Sequence, residues 1–187
     1  MDALFNVFSA FGLSASAGLN AYLPLLIVAL VARFSNLVTL HQPWDVLTSW
    51  WVIGALTVLL IIETFIDKIP AVDTLNNIVQ TVGRPTAGAI LFASQSGVVG
   101  EVSPVVACIA GLLVAGTVHT AKTVSRPAIT AATGGAGNWV VSLLEDVLVV
   151  IGVIVSIILP ILMAVLVTMF IFLFGFWWTR RQMKVTV

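Results

Sequence analysis

Residues 61–85 read IIETFIDKIPAVDTLNNIVQTVGRP, and this stretch holds five of the sixteen charged residues in a chain of 187. Those five are Glu63, Asp67, Lys68, Asp73 and Arg84. Long apolar segments flank this stretch on both sides. Glu63 lies within the first of these segments, before its end. An ionisable side chain within a membrane is costly unless it is paired or hydrated, and it marks a functional site. We therefore expect the rest of the chain to build a membrane scaffold around this stretch and around a second polar stretch, residues 119–146.

The composition indicates that the solvent of this chain is lipid. Hydrophobic residues make up 60% of the sequence and charged residues 9%, with a mean hydropathy of +1.15. A soluble domain is roughly 45–50% apolar and about 25% charged. We predict an all-α, polytopic integral membrane protein with a single transmembrane domain over residues 1–187. The net charge of zero argues against nucleic acid as a partner, because nucleic-acid binding requires a basic surface.

Six apolar segments predict about six transmembrane helices. They cover residues 3–31, 50–66, 85–99, 102–118, 139–159 and 160–178. The first segment is longer than the roughly 20 residues that a span requires, and it contains GLSASAGLN at positions 12–20. This pattern fits either a tilted helix with a small-residue packing face or a discontinuous helix that lines a site. We predict that the segment is not a regular helix through Gly12 to Asn20. Apolar residues spaced one, three and four apart over positions 71–82 predict a short amphipathic helix at the interface.

The basic residues predict the orientation. With six spans, seven of the eight Lys and Arg residues fall on one side and Arg33 alone on the other. The seven are Lys68, Arg84, Lys122, Arg126, Arg180, Arg181 and Lys184. Basic residues are enriched in cytoplasmic loops, so both termini are predicted to be cytoplasmic. Arg84 and residues 180–184 are further predicted to anchor the protein at the lipid headgroups.

Five sequence blocks, taken in order, resemble a known family. The blocks are GLSASAGLNAYLPLL (12–26), IETFIDKIPAVD (62–73), GRPTAG (83–88), HTAK (119–122) and NWVVSLLEDV (138–147). The chain is similar in these blocks to small bacterial membrane proteins catalogued as domain of unknown function 4126. The resemblance covers nearly the whole chain and implies a multi-pass protein of the bacterial inner membrane. It implies no activity.

The charged residues are the candidate site. Glu145 and Asp146 lie about two turns inside the fifth segment, and the nearest cations, Lys122 and Arg126, lie in the loop predicted before it. We expect these acids and bases to meet in one polar cluster with Glu63 close by. The candidate substrate or proton site comprises Asn20, Glu63, Asp67, Asp73, Arg84, His119, Lys122, Arg126, Asn138, Glu145 and Asp146. The alternative is that the same pairs simply close one end of the helix bundle.

No catalytic or metal-ligand set stands out. Two histidines and one cysteine on different segments do not form a metal site, and no phosphate-binding loop is present. No cofactor is therefore expected. Intramembrane carboxylates and a breakable first helix favour a small transporter or channel-like permease of unknown substrate. A structural or assembly protein that binds lipids or membrane partners is the alternative, followed by a lipid head-group enzyme. The small size of the bundle is compatible with a homodimer.

Overall fold

All regular secondary structure is helical in the part of the chain that the structure, a computed structural model, describes. That part covers residues 2–66, 70–95 and 103–163, together with residues 165, 166, 168, 169, 172, 173 and 176; side chains are described except at 2–4, 70–78 and 136. The helices are α1 (Asp2–Leu19), α2 (Tyr22–Phe34), a 3-10 helix (Trp44–Thr48), α3 (Trp50–Ile66), α4 (Pro70–Ser94), α5 (Pro104–Thr133) and α6 (Ala136–Ile158). The prediction of an all-α fold is confirmed for these residues.

The first segment is interrupted at Asn20 and Ala21, between α1 and α2, at the end of the predicted stretch 12–20. Residues 12–19 are helical, so the small residues serve the packing of α1 and the break comes directly after them. Ser14 donates from Oγ to the backbone oxygens of Gly111 and Gly88, at 2.8 and 3.2 Å. Small side chains allow helix backbones this close, and hydroxyl–backbone hydrogen bonds then hold them together. The segment is therefore discontinuous, and the interpretation as a single tilted helix is wrong. The prediction that the helix is irregular through Gly12 to Asn20 is also wrong for residues 12–19, because the small residues pack in a regular helix.

The chain reverses direction at this break. α1 runs parallel to α5 and antiparallel to α6, because Ser9 donates from Oγ to the Ser156 carbonyl oxygen and Lys122 donates from Nζ to the Leu19 carbonyl oxygen. Trp44, which follows α2, packs in one cluster with Val7 and Phe11 of α1. α2 therefore returns to the end of the bundle where α1 began. We call this the loop end, defined by the loop 35–49, and we call the opposite end, with the α5–α6 turn, the turn end.

The prediction that residues 3–31 cross the membrane once is therefore wrong. The first turns of α1 lie at the loop end, next to the loop 35–49. A single crossing would place the start of α1 and this loop at opposite ends of the bundle. The helical hairpin has a physical cause. Asn20 accepts hydrogen bonds at Oδ1 from the backbone N–H groups of Tyr22 and Leu23, which starts a second helix at the point where the first one ends.

α4 joins two elements that were predicted to be separate. The amphipathic interfacial helix and the third span form one helix that continues through Pro85. A proline inside a helix removes one backbone hydrogen bond and is a natural place to predict a boundary. Here the inward positions Gln80, Arg84, Ala87 and Leu91 keep a spacing of four, three and four residues across the proline. The same face of the helix therefore stays inward along its length, although the residues on that face change from polar to apolar.

α5 likewise extends through the region predicted as a polar loop. It continues past Pro127 to Thr133, and the connection to α6 is confined to Gly134 and Gly135. These two glycines have φ of 60° and 90°, a backbone conformation that favours glycine. The glycine-rich segment is thus a helix cap.

α6 buries polar side chains and exposes apolar ones. Asn138, Ser142 and Ser156 are buried, whereas nine large apolar side chains are exposed. The exposed residues are Trp139, Val140, Leu143, Leu144, Val147, Leu148, Ile151, Ile154 and Ile158. By length and composition, α5 and residues 137–158 of α6 are each able to cross a membrane. A water-soluble fold would present these two faces the other way round.

The chain turns again at Leu159. Residues 160–163 are helical and bring Met163 beside Gly12, which Ser156 of α6 also adjoins. The predicted sixth segment therefore begins by folding back against α1. The residues of this segment beyond 163 are described only at seven positions, and these are helical.

Candidate functional site

The inner face of α5 changes character halfway along the helix. Its buried residues are first small, at Ala107, Gly111 and Ala115, and then basic, at His119, Lys122 and Arg126. The spacing of four, four, four, three and four residues keeps all six on one helix face. In the half of α5 nearer the loop end, the small residues allow the α1–α2 hairpin to pack closely. The basic residues begin near the level at which the hairpin reverses direction. The long helix thus places its cations directly below the turn at Asn20.

The first part of the site is a chain of four side chains from three helices. Arg84 donates from Nη2 to Glu63 Oε1 at 3.0 Å, and its Nη1 lies 3.1 Å from His119 Nδ1. His119 Nε2 lies 3.2 Å from Thr81 Oγ1. Because a guanidinium can only donate, Nδ1 of His119 accepts and its proton is carried on Nε2. The side chains of Arg84 and Glu63 are 0% and 1% exposed, so the pair is fully withdrawn from solvent.

The second part of the site joins α5 to α6. Lys122 Nζ and Arg126 Nη2 lie 2.9 and 2.7 Å from the same carboxylate oxygen, Oε2 of Glu145. The two basic side chains are 3% and 4% exposed, and the Glu145 side chain is 13% exposed. The prediction that Glu145 or Asp146 meets Lys122 or Arg126 is confirmed. Glu63 is connected to this part of the site by Arg84, which contacts both Glu63 and His119. His119 lies one helical turn before Lys122 on α5.

The hairpin turn connects to the same site through Asn20. Asn20 donates from Nδ2 to Asp146 Oδ1 at 3.0 Å while its Oδ1 caps α2. Lys122 donates to the last carbonyl of α1, that of Leu19, at 2.8 Å. Two helix ends therefore meet the charged residues: the negative end of α1 faces a cation, and the positive end of α2 is tied through Asn20 to a carboxylate.

These contacts define one charged cluster, made of Glu63, Arg84, His119, Lys122, Arg126, Glu145 and Asp146. It contains three acids and three permanent bases, so it is balanced when His119 is neutral. The hairpin turn is level with Lys122, and α5 continues for eleven residues, or about 17 Å, beyond it. The cluster therefore lies inside the bundle and not at its surface. Partially charged helix ends and full charges in such a place can bind a polar solute.

The sequence pattern of one protein family, described as domain of unknown function (DUF4126), matches residues 7–181. The chain belongs to this family. The DUF4126 match includes every residue of the charged cluster and the whole hairpin from Val7 onward. No curated protein and no solved structure matches the chain.

Not every predicted site residue of this DUF4126 protein lies in the charged cluster. Asn138 exchanges hydrogen bonds with Thr130, at 2.9 and 3.0 Å, and ties the first turn of α6 to the last turns of α5. Asp67 lies outside the described residues, as do Lys68 and the basic residues at 180–184. Asp73 lies on α4, but its side chain is outside the described part.

The prediction that Arg84 is a headgroup anchor is wrong, because its side chain is completely buried. Its helix was expected to lie on the membrane surface, and the continuity of α4 carries it into the bundle. The same continuity brings in Thr81 and Gln80, which were not predicted. Gln80 is 2% exposed and lies one turn before Arg84 on the inner face of α4. A spacing of four residues from a buried arginine was the signal that could have found it.

A shallow groove of about 630 Å³ opens on the outer side of α4 and α5. Its lining includes His119 and Thr81, with apolar residues such as Leu112, Leu113 and Val124. It thus approaches the Arg84 half of the charged cluster from the apolar exterior. Among the described residues, no group of three or more His, Cys, Asp and Glu side chains could hold a metal ion.

Proposed function

We propose that this protein is a small transporter or channel-like permease whose solute site is the charged cluster. The observation that carries the proposal is the α1–α2 hairpin, whose turn ends inside the bundle against that cluster. At this point Leu19 contributes the last backbone carbonyl of α1, which accepts from Lys122, and Asn20 contributes a side-chain amide. Interrupted helices with their ends at a buried polar site are typical of secondary transporters, where they bind solutes and coupling ions.

We further propose that the protein is a multi-pass protein of the bacterial inner membrane. Support comes from the inverted polarity of α6 and from the large apolar side chains exposed on α3 and α5. The lipid bilayer is the partner that such faces require. The basic residues of the described cluster lie towards the turn end, whereas Arg33 lies at the loop end, which favours a cytoplasmic turn end.

Transport can be tested with purified protein reconstituted into liposomes and adsorbed on a solid-supported membrane. A panel of inorganic salts and small metabolites is applied with and without a proton gradient, and the transient currents are recorded. We expect at least one class of solute to give a saturable current. Lys122→Gln should abolish this current, because it removes the contact with Leu19 and one partner of Glu145.

Asp45→Asn is the matched control, since Asp45 is exposed at the loop end and removal of its charge leaves the cluster intact. It should retain the wild-type current. If no solute produces a protein-dependent current although the reconstituted protein is folded, transport is excluded. A fixed membrane partner recovered with the protein would then support the alternative of a structural or assembly protein, which the balanced charge of the cluster favours.

A further inference from the structure

We propose that Lys122 and Arg126 form the binding site of a small inorganic anion, and that the Glu145 carboxylate occupies this site in the structure. The inference rests on the proposed transport function and names the class of solute. Glu145 is thus a tethered ligand that a free anion replaces. The argument depends on how differently the cations and the carboxylate are held.

The two cations lie on one buried face of α5. Lys122 is anchored on the last carbonyl of α1 at 2.8 Å, and its side chain is 3% exposed. Arg126 lies one turn further along the same face of α5, and its side chain is 4% exposed. Lys122 therefore keeps its contact with the Leu19 carbonyl when Glu145 moves away.

The carboxylate is more accessible than the two cations. Glu145 receives both cations on one oxygen, Oε2, and its side chain is the most exposed of the ion-paired groups in the cluster. Its neighbour Asp146 is held separately, by the Asn20 amide at 3.0 Å. A single oxygen of a small oxyanion can take the position of Oε2 and accept the same two hydrogen bonds.

The charges around this position favour an anion over a cation or a neutral solute. When Glu145 withdraws, Lys122 and Arg126 lose the carboxylate that they share, while Asp146 remains bound to Asn20. Buried charges that lose a counter-charge are strongly unfavourable, so the position attracts a new anion. A cation would instead meet two fixed positive charges at less than about 4 Å.

The test uses Glu145→Gln and nitrate, a planar oxyanion that resembles a carboxylate. Thermal unfolding of the purified full-length protein in detergent is followed in sodium gluconate and in sodium nitrate at equal ionic strength. The variant is expected to be stabilised by nitrate in a saturable manner, with a rise in unfolding midpoint of about 3–5 °C. Wild type should need at least about tenfold more nitrate for the same rise, because its own carboxylate competes.

The double variant Glu145→Gln/Lys122→Gln removes one cation and should lose the nitrate effect. Asp45→Asn gives the general effect of the salt on a protein with an intact cluster. Equal midpoints in gluconate and nitrate for Glu145→Gln would overturn the proposal. If this variant accumulates in neither salt, Glu145→Asp is used, and a nitrate affinity no higher than that of wild type would overturn the proposal as well.

The outcome separates this inference from the proposed function. Nitrate binding that depends on Lys122, in a protein that carries no current for any solute, would support the anion site and contradict the transport function. A solute current without any effect of nitrate on Glu145→Gln would support the transport function and contradict the anion site.

Discussion

Arg84 is the residue that links three helices of the charged cluster. It lies on α4 and contacts Glu63 of α3 and His119 of α5, with no exposed surface of its own. In a buried ion pair, the loss of one partner costs more than the pair itself contributes, because a charge is left without compensation. The consequence can be measured one residue at a time.

Arg84→Met should lower the free energy of unfolding by about 3–5 kcal/mol, because the Glu63 carboxylate loses its 3.0 Å partner. The addition of Glu63→Gln should restore a substantial part of this loss, as measured by reversible unfolding in mixed detergent. Arg33→Met is the control. Arg33 is exposed over the Trp50 ring, so its removal should cost no more than about 1 kcal/mol. Strictly additive effects of the two cluster substitutions would show that the pair is not coupled.

Asn20 has two roles that substitutions can separate. Aspartate is as good a helix N-cap as asparagine, so Asn20→Asp keeps the cap of α2 but places a carboxylate beside Asp146. Asn20→Ala loses the cap, at about 1 kcal/mol, without adding a charge. We expect Asn20→Asp to have the lower unfolding midpoint in differential scanning fluorimetry. The reverse order would mean that the contact with Asp146 contributes little.

The residues of the site were largely predictable from sequence, whereas their division into two networks was not. A charge in an apolar segment needs a partner, and only a few cations were available for Glu145. The sequence could not assign Glu63 to Arg84, because Arg84 was also predicted to be an anchor at the lipid headgroups. The backbone carbonyl of Leu19 as a partner of Lys122 carries no side-chain signal at all.

Among the elements, α4 and α5 show where a local drop in hydropathy leads to a wrong helix boundary. α3 was predicted with its observed bounds, Trp50–Ile66, because its apolar run is uninterrupted. α4 and α5 were each divided, because a proline and several polar residues lower the local hydropathy. In both helices the buried polar residues include the ones that build the charged cluster, Arg84 in α4 and His119, Lys122 and Arg126 in α5. The drop in hydropathy therefore marked a site and not a loop.

The close packing of α4 on α5 gives a prediction at the scale of helices. A Cβ on Gly88 would clash with Ala115 Cβ and lie 2.9 Å from the Gly111 carbonyl oxygen. Gly88→Ala should therefore force the helices apart and cost about 1–3 kcal/mol of unfolding free energy. Gly54→Ala on α3 is the control, since nothing lies within 4 Å of its Cβ position, and it should be neutral or stabilising. Equal effects of the two alanines would show that α4 and α5 are not in close contact.

For the whole molecule, the hairpin changes the relation between the chain ends and the membrane. The start of α1 lies at the loop end, with Leu37, whereas Thr133 lies at the turn end. α2 has 13 residues and is about 20 Å long, too short to cross a hydrocarbon core of roughly 30 Å. Length alone could not reveal this, because α1 and α2 together resemble one long tilted span.

Cysteine labelling tests this arrangement in a Cys108→Ala background. An N-terminal tag and Leu37→Cys should be accessible to an impermeant reagent from the same side of oriented vesicles, and Thr133→Cys from the other side. The exposure of residues 37 and 133 makes both positions suitable for labelling. Access to the tag and to Thr133→Cys from one common side would restore the single crossing of residues 3–31.

The hydrogen bond between Ser9 and Ser156 also bears on how the protein is made. It joins positions 147 residues apart, so α1 obtains its contact with α6 only after nearly the whole chain has been synthesised. Contacts so distant in sequence form late, because the intervening chain must be ordered first. The α1 face that packs on α6 therefore stays uncovered until α6 has been made. Nascent chains that end before α6 should leave Ser9 open to chemical modification, and completed chains should protect it.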